Sequence, residues 1–137
     1  MNTDDKIAIM ELLARSAYTL DEREVDALRD TFTEDAALAI DIAGADGEVQ
    51  FEGRDAILSL MTDSMAEQTD QRRHVVSNSF FAHDGGDTVT VVSNITITSV
   101  ENGAARLVTT GLYRDTVRRE SDVWRIATRR IELDLAY

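Results

Sequence analysis

Apolar residues recur along the first half of the chain at helical spacing. Ile7, Met10, Leu13 or Ala14, and Ala17 follow one another at intervals of three to four residues and predict an amphipathic helix running to about Leu20. Thr3 or Asn2 can cap it, and Asp4 and Asp5 fall in its first turn, where carboxylates suit the positive end of the helix dipole. Asp21-Glu22-Arg23-Glu24 interrupts the stripe. Val25, Leu28 and Phe32 restart it, so a second helix is expected, ending at Thr33-Glu34-Asp35. Ala36 to Ile42 then reads as a strand, Gly44-Ala45-Asp46-Gly47 as a turn and Glu48 to Glu52 as a short strand. Gly53-Arg54-Asp55 opens a third helix whose apolar positions are Ile57, Leu60 or Met61, and Met65.

From Arg72 onward the pattern alternates with period 2 and does not revert. Four long strands are expected: Arg72 to His83, Thr88 to Val100, Ala104 to Arg119, and Val123 to about Asp134. Asp84-Gly85-Gly86-Asp87, Glu101-Asn102-Gly103 and Glu120-Ser121-Asp122 separate them, and Asn102-Gly103 signals a tight hairpin because both residues tolerate positive φ. Helices in the first half and antiparallel strands in the second define an α+β class with helices on one face of a sheet. Strands of about 12 residues exceed the usual ~5–6, and long strands in one twisted sheet must curl. A curled sheet wrapped on helices makes a cone with a pocket inside. With no linker, internal repeat or low-complexity segment, residues 1–137 form one expected domain.

Composition narrows the chemistry. At 137 residues and 43% hydrophobic content, the chain can bury a core without metals or disulfides. It has no cysteine, which excludes disulfides, thiolate metal sites and cysteine nucleophiles. A net charge of −12 opposes binding to nucleic acid or to an anionic lipid surface. Met1-Asn2-Thr3-Asp4-Asp5-Lys6 is polar and acidic where a secretory signal is basic and then apolar, and no apolar run reaches the ~20 residues of a membrane span, so a cytoplasmic protein without membrane attachment is expected. Six arginines, at 114, 118, 119, 125, 129 and 130, crowd the last quarter and read as a solvated strand face that pairs with the acidic helices.

The candidate chemistry centres on Arg72-Arg73-His74-Val75-Val76-Ser77-Asn78-Ser79-Phe80-Phe81, which sets one of two histidines inside a strand. Strict alternation puts His74, Val76, Asn78 and Phe80 on one face, with Arg73, Val75, Ser77, Ser79 and Phe81 on the other. An imidazole among apolar residues is either a hydrogen-bonded core residue or a titratable group facing a cavity. Asp21 lies at the junction of the first two helices, three residues after Tyr18, and reads either as a cap of the second helix or as a functional carboxylate beside the phenol. His83, at its strand's end, reads as a surface residue.

Four local patterns, in this order, resemble a known family: Leu20-Asp21 before Val25-Asp26-Ala27-Leu28; Phe32-Thr33-Glu34-Asp35-Ala36; Phe51-Glu52-Gly53-Arg54-Asp55-Ala56-Ile57; and Arg73-His74-Val75-Val76-Ser77-Asn78. A fifth closes the chain, Gly111-Leu112-Tyr113-Arg114-Asp115 followed by Val123-Trp124-Arg125-Ile126 and Arg129-Arg130. Together they resemble the SnoaL-like branch of the nuclear transport factor 2-like superfamily. The resemblance implies a cone-shaped cystatin-like fold, three helices on a curved, mainly antiparallel sheet, around an apolar pocket. Scytalone dehydratase and hexachlorocyclohexane dehydrochlorinase in that superfamily carry an aspartate–histidine dyad, and Asp21 and His74 match its two positions. In the dehydrochlorinase an arginine five residues after the tryptophan also lines the pocket, as Arg129 would here after Trp124. The chain departs from scytalone dehydratase in having Leu20 where that enzyme has a tyrosine, and in lacking a second pocket histidine.

A histidine of ordinary basicity is neutral near pH 7 and can take a proton from carbon, and a carboxylate behind it fixes its tautomer and stabilises the imidazolium. No nucleophile is required, and neither a cysteine nor a Gly-x-Ser-x-Gly pattern is present. The expected activity is therefore a lyase or isomerase without cofactor or metal. His74 is the base, Asp21 its orienter, and Tyr18, Arg129, Asn78 or Tyr113 holds a developing oxyanion. Two alternatives stand beside it: Asp41 as the base of a ketosteroid-isomerase-like site, about one residue out of step, and a non-catalytic ligand-binding or dimer-forming module. The substrate class is a small hydrophobic or aromatic molecule, and the resemblance implies a homodimer through the convex sheet face.

Overall fold

A computed structural model of the chain describes residues 1–136. Helix α1 spans Thr3–Asp21, α2 Val25–Arg29 and α3 Arg54–Glu67; strands β1 Phe32–Ile42, β2 Val49–Glu52, β3 Gln71–Asp84, β4 Thr88–Glu101, β5 Ala104–Glu120 and β6 Val123–Leu133 complete the order. The strands form one mixed sheet, β2-β1-β6-β5-β4-β3, in which β1 and β6 run parallel and every other pairing is antiparallel. Among the described residues, no helix is long and apolar enough to cross a membrane.

Local sequence explains most boundaries. Asn2 caps α1, its side chain accepting from the Asp5 amide at 2.8 Å. Asn102 and Gly103 take φ of 51° and 75°, the left-handed pair that a tight β4–β5 hairpin needs. The buried side of α1 is Ile9, Leu12, Leu13, Ser16 and Ala17, whereas Ile7 is 63% exposed, so the inward stripe is offset from the expected one and shares Leu13 and Ala17 with it. The second helix stops short of its expected end. Thr31 Oγ1 donates to Leu28 O at 2.7 Å, and Phe32 already pairs with Ile126 on β6. Phe32 sits one helical turn from Leu28, so spacing alone allowed a helix, but strand pairing buries it to 1% exposure. Full burial of a side chain of that size contributes about 1.5–3 kcal/mol.

The main core joins Ile9 and Leu13 of α1, Leu28 of α2 and Ile57 of α3 to Phe32, Val89, Val117 and Ile126 of the sheet. A smaller cluster of Ile95, Ile97, Val108 and Tyr113 lies along the sheet, with Val76 and Ile131 packed against both. The helices cover one sheet face through contacts of α1 with β3 and β6 and of α3 with β1 and β2.

Gly111, opposite Leu133 on β6 and Ile95 on β4, marks a close backbone approach: a Cβ there would lie 2.0 Å from the Glu132 carbonyl oxygen. Gly111→Ala is expected to cost at least about 1–3 kcal/mol, read as a lower urea midpoint at unchanged slope.

Candidate active site

The edge strand β3 supplies the first part of the site. His74 faces β4 on one side, and its own backbone N–H points off the sheet edge, where no strand accepts it. Asp21, the last residue of α1, fills that role: Oδ2 accepts the His74 amide at 2.8 Å, and Oδ1 meets His74 Nδ1 at 2.6 Å. Both side chains are largely buried, with 5% of Asp21 and 11% of His74 exposed. The second helix has Glu24 at its N-cap without a side-chain bond, so Asp21 is not its cap. The carboxylate places the ring proton on Nδ1, which leaves Nε2 as the basic nitrogen. Neighbouring contacts dock the same helix end onto the edge: Arg73 pairs with Glu22 at 2.8 Å, and Gln71 donates to the Asp21 carbonyl.

His74 lines a cavity of about 100 Å³, on the scale of the ~150 Å³ void that admits a benzene ring. Its walls are mostly apolar, with Leu20, Ile40, Leu60, Met65, Ile97 and Ile131 among them. Tyr113 and Arg129 line it too, from adjacent strands. Arg129 Nε and Nη2 donate to the two Asp115 oxygens at 2.7 and 2.9 Å, Nη2 lies 3.4 Å from Ser16 Oγ, and the guanidinium stacks 4.2 Å from the centroid of the Tyr113 ring. Burial works against the guanidinium's charge, but the Asp115 carboxylate beside it prevails and holds its pKa above the ordinary arginine value. Asp115 and Arg129 are paired in register across β5 and β6, and Asp115 lies two positions after Tyr113 on the same face.

The structure therefore brings four of the expected site residues to one cavity: Asp21, His74, Tyr113 and Arg129. It does not bring Tyr18 and Asn78. Tyr18 is 55% exposed beside Arg73, because the inward side of α1 runs through Leu13, Ser16 and Ala17 and Tyr18 projects away from it. Asn78 adopts φ of 54° in a β-bulge that shifts the register between Ser77 and Phe80. The bulge adds a residue and reverses the alternation, so Asn78 and Phe80 face out while Ser79 and Phe81 turn in. Asp41 lies one residue past the cavity-lining Ile40 and points the other way, 3.4 Å from Arg130. His83 is exposed. Among the described residues, no group of three histidine or acidic side chains is placed to hold a metal ion.

Sequence reasoning missed Asp115, Arg72 and Arg23. Arg72 was legible, since it precedes His74 by two positions on one strand face; Arg23 carries no signal, because its φ of 58° at the helix junction is a tertiary outcome. Most of the late arginines pair with carboxylates, mainly on strands and turns rather than helices, such as Arg114 with Glu132, Arg118 with Asp35 and Arg130 with Glu48.

A family model described as a SnoaL-like domain matches residues 1–130. No curated protein matches the chain. Among solved structures, Rv3472, a protein of unknown function from Mycobacterium tuberculosis, is 26% identical, with 97% of this chain and 78% of that one covered and a TM-score of 0.81. An NTF2-like protein with a cystatin-like fold from Novosphingobium aromaticivorans is 25% identical over 95% of this chain and 82% of that one, at a TM-score of 0.79. A chain from the same species assigned as the beta subunit of an aromatic-ring-hydroxylating dioxygenase shares 16% identity over 95% and 89% of the two chains, with a TM-score of 0.82, a likeness of fold.

Asp115→Ala is expected to cost about 3–5 kcal/mol by stranding the buried Arg129 charge, and Asp115→Leu with Arg129→Met is expected to recover most of it; urea unfolding of both variants checks this. Asp70, near the cavity, accepts from Ser99 and Arg72, which hold its carboxyl below its ordinary pKa. Its contribution to stability is thus present above the ordinary 3.8 and lost as pH falls through its lower folded value. Wild type should lose urea resistance more steeply than Asp70→Asn below pH 3.8.

Proposed function

The chain belongs to the SnoaL-like domain family, and from that premise we propose that it is a cofactor-independent small-molecule lyase or isomerase whose base is His74. The observation that carries this reading is the two-point hold of Asp21 on His74, at 2.6 Å to the ring and 2.8 Å to the backbone, on the wall of an apolar cavity. A carboxylate on Nδ1 selects the tautomer that leaves Nε2 as the proton acceptor, and it stabilises the imidazolium that forms when Nε2 takes a proton.

In the proposed step, Nε2 accepts a proton from a carbon next to a carbonyl or leaving group. The C–H electron pair forms a new π bond. Either the leaving group departs with its bonding pair, which gives an alkene, or charge moves to the carbonyl oxygen and the proton returns at another carbon, which gives an isomer. Arg129, whose Nη1 is not engaged by Asp115 or Ser16, and Tyr113 are among the cavity-lining residues that can hold the developing oxyanion. The walls and the volume suit a small, cyclic apolar substrate.

A second reading, a ligand-binding or assembly module, draws on the fold shared with the dioxygenase beta subunit. A homodimer through the outer sheet face belongs to either reading, and exposed Val75, Phe80 and Leu107 on that face support it.

The test needs no prior substrate. Wild-type protein incubated in D2O with a panel of cyclic ketones and β-hydroxy ketones should accelerate deuterium uptake at the acidic carbon, seen by proton NMR. His74→Ala should abolish the acceleration. Asp21→Asn should reduce it by about 10⁴-fold, as loss of the orienting carboxylate does in a triad, with circular dichroism unchanged for both. Exchange persisting in either folded variant would overturn the mechanism; no exchange by wild type on any member would favour the binding module.

A further inference from the structure

The cavity is lined by three guanidiniums, Arg23, Arg72 and Arg129, against one carboxylate, Asp21, in a chain of net charge −12. Arg129 is matched by Asp115. The other two have no part in the dyad, and they converge on one residue. Arg72 Nε donates to Asp70 Oδ2 at 3.2 Å, while Arg23 Nη2 donates to the Gln68 and Asp70 carbonyl oxygens at 3.1 and 3.4 Å. Asp70 is itself buried, and the same Oδ2 accepts from Ser99 Oγ, so a fixed carboxylate anchors Arg72. Arg23 is exposed at the rim, and among the described residues it donates to backbone carbonyls rather than to a carboxylate.

Counting the cavity-lining charges with their direct partners, Arg23, Arg72 and Arg129 balance Asp21, Asp70 and Asp115. A charge-balanced patch on a molecule of net charge −12 repels an anion less than the acidic surface around it does. Solvation of two arginines does not require them to converge beside a catalytic cavity; recognition of an anion does, because the guanidinium fork matches a carboxylate. Arg72 and His74 are two apart on one strand face, so their Cα atoms are roughly 6.6 Å apart. One small molecule can reach both.

We propose that the substrate is a carboxylic acid with a compact, cyclic apolar body, and that Arg72 and Arg23 bind its carboxylate at the rim while His74 faces the carbon that loses its proton. This rests on the reading that this cavity takes the substrate, and it names that substrate's class. Arg72 and Arg23 are then specificity-determining residues, with Asp70 and Ser99 positioning Arg72.

The test is binding of matched pairs, benzoate, 2-naphthoate and cyclohexanecarboxylate, each against its primary amide, by calorimetry at low and constant ionic strength. At least one acid should bind wild type about tenfold or more tightly than its amide, the size of a charge-assisted hydrogen bond. R72Q and R23Q should each reduce that preference, and the double variant should remove it. No acid binding more tightly than its amide, or a preference intact in the double variant, would overturn the proposal. Should R72Q fail to fold, R23Q at the exposed rim decides, since an unchanged preference there also overturns it. H74A separates this proposal from the reaction: acid preference without deuterium exchange sinks the mechanism alone, and His74-dependent exchange without acid preference sinks the substrate class alone.

Discussion

Everything at this site depends on one carboxylate with two jobs. Asp21 ends α1, and its oxygens satisfy both the His74 amide and the His74 ring. An edge strand has unpaired N–H groups along one side, a liability that folded proteins cover. Here the cover and the proposed orienter of the imidazole are the same side chain. Helix docking, edge protection, ring orientation and tautomer are thus coupled, and the helix end cannot move without turning the imidazole.

The opposite wall follows a different logic. Arg129 is held in the core by Asp115, stacked on Tyr113, and charged in spite of burial. Such a pair is weak evidence for stability, because desolvation offsets much of the attraction. It fixes a cationic side chain against an apolar cavity, and in the proposed reaction that preorganised donor would meet developing charge without reorganising. Ile131, which packs against both hydrophobic clusters, also lines the cavity.

Much of this was legible in the chain. The change from helical spacing to alternation at Arg72 located the sheet, Asn102-Gly103 located a hairpin, and the strand bounds fell within one or two residues for β4 and β5. Alternation singled out His74, but its pairing with Asp21 came from resemblance, since spacing alone favoured a structural reading of each residue. Phe32 was misplaced because a residue one turn past Leu28 fits a helix and a strand equally until its partner on β6 is known.

What the sequence determined by itself was the local: which segments are helical or extended, which turns need positive φ, and the acidity that disfavours polyanionic partners. What only the tertiary structure decided was facing and convergence. A single bulge at Asn78 reversed the inward face of β3, removing Asn78 and Phe80 from the interior and turning Phe81 in. Period 2 carries no record of such an insertion, because an extra residue flips every later side chain without changing the pattern itself. Tyr18 turned outward for the related reason that a helix's rotation is set by what packs against it. The meeting of Arg23 and Arg72 on Asp70, residues 23, 70 and 72 of the chain, depends on how α1 docks against β3, which no local property of either segment specifies.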